Sequence, residues 1–283
     1  MDETGASPVH LGILSGSPDT VGVFVAAGLL HLMGYKIRRS APGLGSTRDQ
    51  ESRTPLMWAA AMGKDDVLGA LEGVKLDEKD EQGYSALHIA VSAGLPASVA
   101  ALVEMGANLK AGTKEGQTPL LLATNLPDPS ITSLLLRHGA STSQMDQNRR
   151  TGLHLAAQAG HLQQVQLLLR AGAKLDSRDT WGRTPLSMAC WGGHQEVGCV
   201  CNKMFVESIA NQVVSVLLEA GAAVDQQDNK GMCPLHWAVH RAHVDTVKLL
   251  LEAKAYPNNI GSLKLEESEE VQSFLIYFLF WLP

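Results

Sequence analysis

Ten histidines and four cysteines are the side chains of this 283-residue chain best suited to hold a metal or move a proton. Their spacing argues against both roles. His10, His88, His154 and His236 each stand three residues after a Ser, Thr or Cys, and His161, His194 and His243 each follow a Gly or Ala at a second recurring place. A side chain that returns with the period of the chain serves the architecture of each period. An imidazole in such a slot is expected to bond to a neighbouring turn or helix cap. Cys199-Val200-Cys201 offers two thiols where a closed zinc site needs four ligands; Cys190 and His194, close by in sequence, leave a metal site as the lesser alternative. No Gly-rich phosphate loop, nucleophile elbow or His-Glu-x-x-His run occurs. The chain reads as non-enzymatic, with no cofactor, metal or small-molecule substrate.

The period itself is set by a phrase that opens helices. Ser7-Pro8, Thr54-Pro55, Thr118-Pro119 and Thr184-Pro185 place an oxygen-bearing cap before a proline whose fixed φ suits the first helical turn. Ser85-Ala86 and Thr151-Gly152 keep the cap without the proline, and Cys233-Pro234 the proline without the oxygen. Successive phrases lie 47, 31, 33, 33, 33 and 49 residues apart. In the stretch 145–176, Leu153, Leu155, Ala156 and Ala157 begin one short helix, and Val165, Leu167, Leu168 and Leu169 give a second its apolar face. Isolated helices below about 12–15 residues are marginal in water, so each pair depends on copies of itself on either side. Asp80-Glu81-Gln82-Gly83, Asp179-Thr180-Trp181-Gly182 and Asp228-Asn229-Lys230-Gly231 are tight turns between pairs. Arg149 stands where those turns carry Gly, which predicts a strained or reshaped turn.

A 33-residue helix-turn-helix unit carrying T-P-L-H, then A-A-x-x-G-H, then L-L-x-x-G-A resembles the ankyrin repeat, over about residues 4–259. The resemblance implies an all-α solenoid of about seven units with short β-hairpin fingers. It also implies a non-enzymatic scaffold or adaptor that binds other proteins. On this reading residues 1–49 are a degenerate first unit with an insertion and linker, 50–259 the array, and 260–283 a divergent, apolar-ended tail. The order of units is also similar to the array of inversin-like proteins, carried by Gly5-Ala6-Ser7-Pro8-Val9-His10, Arg53-Thr54-Pro55-Leu56-Met57-Trp58 and Leu235-His236-Trp237. That closer likeness implies a ciliary or Wnt-signalling scaffold; calmodulin binding does not carry over, because no IQ segment is present.

Two intervals exceed the period. A surplus within 22–50 suggests a helix over 21–33 followed by a loose loop. A surplus of 16 residues, roughly 198–213, is expected to bulge outward over 194–206, with the interrupted helix restarting near Ser208 and turning Ile209, Val213, Val216 and Leu217 to one face. Both insertions and the tail also read as retained intron or alternative exons of a gene model. The apolar runs 21–33 and 274–282 fall short of the roughly 20 residues a spanning helix needs. A membrane-tethered adaptor is therefore the lesser alternative. The net charge of −6 and the absence of a basic tract disfavour nucleic acid as a partner. Four cysteines without a disulfide framework suit a reducing cytoplasmic, ciliary or nuclear setting.

In ankyrin-like arrays the finger tips and the exposed side of each first helix form a concave binding face. Carried onto this sequence, those positions are Tyr84; Arg150; Trp181, Arg183 and Trp191; and Lys230, Met232, His240 and Arg241. Trp and Arg are the commonest interface hot spots. Trp181 and Trp191 are expected in solvent beside Arg150, Arg183, Lys230 and Arg241, forming a basic and aromatic groove suited to an acidic or phosphorylated segment of a partner protein. The alternative is that both indoles fold onto neighbouring turns. Trp58 and Trp237, directly after the T-P-L-H slot, read as packing residues.

Overall fold

The computed structural model describes residues 48–71, 74–192, 203–241 and 243–255, together with Ile13; at 69–70 and 203–210 it describes the backbone alone. The expected helix over 21–33, the bulge before residue 203 and the tail over 260–283 lie outside the described residues. So do His10, His194, Cys199 and Cys201.

Each phrase opens a helix for the reason its residues suggest. Thr54, Thr118 and Thr184 hold extended backbone, and their hydroxyls accept the N–H of Met57, Leu121 and Ser187 three residues on. Proline at the first helical position has no N–H to satisfy. In the N-terminal body, Met1–Asp146, the helices are α1 (Pro55–Met62), α2 (Asp65–Ala70), α3 (Ala86–Ser92), α4 (Pro96–Glu104), α5 (Pro119–Thr124) and α6 (Ser130–Arg137). In the C-terminal body, Gln147–Pro283, they are α7 (Gly152–Ala159), α8 (Leu162–Arg170), α9 (Pro185–Trp191), α10 (Lys203–Glu219), α11 (Pro234–His240) and α12 (Val244–Glu252).

First helices pack on first helices of the next repeat, α1 on α3 on α5 and, in the other body, α7 on α9 on α11. Second helices follow the same order, α2 on α4 on α6 and α8 on α10 on α12. Alanines at 59, 60, 90, 123, 156, 157, 189 and 238 are buried at these contacts; small side chains let short helices approach closely enough for Leu87, Leu121, Leu153 and Leu186 to interdigitate.

Polar bonds run between the repeats as well. The Nδ1 of His88 accepts the N–H of Ser85 at 3.2 Å, and its Nε2 lies 3.0 and 3.1 Å from the carbonyls of Ala111 and Gln117 in the next repeat. His154 repeats this with the N–H of Thr151 at 3.2 Å and the carbonyl of Arg183 at 3.1 Å. A backbone N–H only donates, so Nδ1 is the acceptor and Nε2 carries the proton. One neutral imidazole thus caps its own helix and holds the neighbouring turn.

Two expectations change, and at Arg149 one of two alternatives is taken. Among the described residues there is no β-strand: each finger is a turn closed by one or two short-range bonds, such as Asp80 N–H to the Tyr84 carbonyl at 3.0 Å, and stops before a ladder forms. Arg149 keeps the shape of its glycine counterparts, taking φ 59° where Gly182 takes 78° and Gly231 takes 77°, so its cost is strain. Helix α10 does not restart at Ser208 but runs unbroken from Lys203 through Glu219. Val213, Val214 and Leu217 form its buried face, while Val216 is half-exposed.

Burial holds the imidazoles of His88 and His154 below their ordinary value of 6.5, against carbonyl hydrogen bonds that act to raise it. The unfolded chain therefore binds these protons first. The stability they supply is complete above about pH 6.5 and is lost as pH falls through their folded values. Denaturant unfolding at pH 7.5 and 5.5 should show a lower midpoint at 5.5. His154→Gln should flatten that difference while costing about 2–3 kcal/mol at pH 7.5.

Candidate partner-binding face

The face is built on one residue per finger. Asp49, Asp80, Asp179 and Asp228 each fold a turn by accepting two backbone N–H groups on Oδ1, from the residues two and four positions on, at 2.8–3.0 Å. Thr113 does the same through its hydroxyl at 3.3 and 3.2 Å. Successive fingers are then joined by single backbone bonds. Lys114 N–H meets the Gln82 carbonyl at 3.0 Å, Thr180 N–H that of Asn148 at 2.9 Å, and Asn229 N–H that of Trp181 at 2.9 Å. The last bond spans the 49-residue interval, so the extra residues there leave the finger register intact.

In Asp49, Asp179 and Asp228 the second carboxylate oxygen takes a side-chain donor. In the C-terminal body, Asp179 Oδ2 accepts Arg183 Nε at 2.9 Å and pairs with its Nη2 at 2.8 Å. The held guanidinium then lies 4.6 Å from the Trp181 ring centre and 5.7 Å from that of Trp191. Arg241 also lies over Trp191, at 5.1 Å from its ring centre. Trp237, fixed by its Nε1–H on Asp228 Oδ2 at 3.2 Å, meets Trp191 edge-on at 6.4 Å and His240 at 6.1 Å. Cation–π contacts of this kind are worth about 0.5–2 kcal/mol each, more as water is excluded.

The structure thus brings Trp181, Arg183, Trp191, His240 and Arg241 together, with Lys230 exposed on the adjoining finger. Trp181 is 47% exposed, as expected for an indole in solvent. Trp191 is half-buried and has two guanidinium groups over it, so only one of the two indoles is freely presented. Arg183 is a structural cation, its side chain 16% exposed and neutralised by Asp179. Met232 is withdrawn from the face: it is 9% exposed, because its N–H serves Asp228 and its side chain turns inward. Arg150 is half-buried ahead of α7. Tyr84 belongs to the N-terminal body, where it meets His88 edge-on at 5.9 Å.

Trp237 and Trp58 do more than the packing expected of them. Both stand nine residues after a finger Asp and donate an indole N–H to it, Trp58 to Asp49 at 2.9 Å. That Asp-x8-Trp spacing was the available signal. In the N-terminal body Trp58 also lines a pocket with Met57, Met62, Asp80, Tyr84 and Ile89.

Among the described residues no group of three or more His, Cys, Asp or Glu is placed to hold a metal. Cys190 and Cys233 are buried, and burial pushes both thiols up, away from the reactive thiolate. No described helix is long and apolar enough to cross a membrane.

A family model described as ankyrin repeats in three copies matches residues 56–146, 120–200 and 204–260. A crystal structure of an ankyrin repeat domain from Acinetobacter baumannii AYE is similar to this chain at 30% identity, with a TM-score of 0.63, covering 71% of this chain and 98% of that one. No curated protein matches.

A side chain at Gly182 tests the finger register. A Cβ there would lie 2.5 Å from Asn229 Oδ1 and 3.0 Å from its backbone nitrogen, at φ +78°. Gly221, at φ +90°, has nothing within 4 Å. Gly221→Ala should therefore cost only the left-handed strain, about 1–2 kcal/mol, and Gly182→Ala measurably more in equilibrium unfolding.

Proposed function

The chain belongs to the ankyrin-repeat family, and from that premise we propose that it is a non-enzymatic scaffold whose C-terminal repeats capture an acidic or phosphorylated segment of a partner protein. The family match and the fold support the general part, a protein–protein interaction module. The single observation that supports the chemistry of the partner is the state of Arg241. Its guanidinium carbon lies over the Trp191 ring at 5.1 Å, its Nε is buried without a hydrogen-bond partner, and no carboxylate among the described residues lies within ion-pair distance. An oriented cation on an aromatic platform, beside exposed Lys230 and Trp181, matches the planar two-oxygen geometry of a carboxylate or phosphate. Between residues 147 and 255 there are eleven Lys and Arg against nine Asp and Glu, a local excess of positive charge within an acidic chain.

The closer reading, an inversin-like scaffold of the cilium or of Wnt signalling, draws its support from the order of repeat phrases in the sequence. It predicts that the full chain concentrates at the ciliary base or shaft when expressed in ciliated cells.

The partner chemistry is tested with the full chain and a labelled Asp- and Glu-rich peptide, in phosphorylated and unphosphorylated forms. Arg241→Ala should weaken capture about tenfold or more, as hot-spot arginines do, with little change in melting temperature. Binding should also fall with added salt. Arg183→Ala should behave differently. It leaves the Asp179 carboxylate without its cation, so it should cost about 2 kcal/mol or more of stability. Unchanged binding by Arg241→Ala would remove the proposal.

A further inference from the structure

Of the four carboxylates that fold their fingers through Oδ1, Asp80 differs from the other three at its second oxygen. Asp49 Oδ2 receives Arg53 Nε at 2.8 Å and Trp58 Nε1 at 2.9 Å. Asp179 Oδ2 receives Arg183, and Asp228 Oδ2 receives Trp237. The donors stand four or nine residues after the Asp. At Asp80 those places are held by Tyr84 and Ile89. Ile89 has no donor to offer, and Tyr84 turns its ring edge-on to His88 instead. Asp80 Oδ1 accepts Gln82 and Tyr84 N–H like its counterparts, but among the described residues Oδ2 receives no hydrogen bond.

The same carboxylate lines a pocket of about 490 Å³ between the fingers and α1 and α3. Its lining includes Trp58, Met62 and Ile89, with Met62 41% exposed, together with Arg53, whose charge is met by Glu51 at 3.1 Å and Asp49 at 2.8 Å. The surroundings are acidic: between residues 48 and 146 there are thirteen Asp and Glu against eight Lys and Arg. An apolar wall ending in an open carboxylate matches a side chain whose stem is aliphatic and whose head is cationic.

We infer that this pocket is a second docking site, opposite in charge to the first, which takes a lysine or arginine side chain from a basic, apolar segment of a partner polypeptide. The methylenes lie on Met62, Ile89 and Trp58, and the cation meets Asp80 Oδ2 in a charge-assisted hydrogen bond. This goes beyond the acidic-segment reading and does not depend on it, because every residue it uses lies in the N-terminal body.

The test uses the full chain and two labelled probes, a short peptide alternating Leu and Arg and its Leu and Glu counterpart. The Arg peptide should bind with the higher affinity. Asp80→Asn keeps the Oδ1 acceptor that folds the turn and removes the charge, and it should weaken the Arg peptide about tenfold, a loss of about 1.4 kcal/mol. Ile89→Trp supplies the missing indole N–H where Trp58 and Trp237 supply theirs, so it should close the site with the melting temperature kept or raised. Arg241→Ala should leave this binding unchanged, which separates failure here from failure of the acidic-segment site. Equal affinity for the two probes, or full binding by both Asp80→Asn and Ile89→Trp, would overturn the assignment.

Discussion

Short helices leave backbone groups at their ends that the helix ladder cannot satisfy. Here a side chain of the same helix meets that demand, and at two helices the same side chain also reaches the next repeat. A buried, neutral imidazole takes the cap N–H of its own helix on Nδ1 and gives its Nε2 proton to the following turn, as His88 and His154 do. Because one ring serves both ends, the local cap and the repeat-to-repeat contact form together or not at all. That is the molecular content of nearest-neighbour stability in a repeat protein. It also gives His88 and His154 a structural role: each ring is committed at both nitrogens and buried.

The second constraint is the finger carboxylate. In Asp49, Asp80, Asp179 and Asp228 one oxygen is spent on folding the turn, and in three of these the other takes a donor from four or nine residues on. Arg or Trp at those places converts it into an anchor for the aromatic face. Arg183 is held by Asp179 and so positions Trp181 and Trp191, and Trp237 is held by Asp228 and so backs Trp191. Tyr84 and Ile89 leave Asp80 open. A single turn design thus yields two kinds of surface, and the difference lies in the occupants of those two positions.

Much of this was legible in the sequence, because the features that repeat are the features that fold. The caps at Thr54, Thr118 and Thr184, the structural role of His88 and His154 and the apolar face of α8 all follow from period and residue type. The charge state of Arg183 was not legible. Its partner Asp179 is four residues away, and whether that pair closes depends on the turn that Asp179 itself folds. Met232 was misjudged for the same reason: its place in the finger is right, but the side chain follows a backbone already committed to Asp228. Helix α10 escaped because its period is continuous through Ser208, and an insertion that preserves helix propensity gives no internal signal of where the helix begins. Arg149 shows the reverse case, in which sequence foresaw strain and the backbone accepted it at φ 59° without changing shape.

The claim that the finger side of the C-terminal repeats is a preformed recognition platform meets its most direct test in the indole N–H region of a two-dimensional NMR spectrum, recorded as the full chain is titrated with an acidic peptide. The account predicts that the Trp181 and Trp191 signals move together and saturate at one affinity, while the Trp58 signal, anchored on Asp49 in the other body, stays in place. Movement of Trp58 with Trp181 and Trp191 still would contradict it.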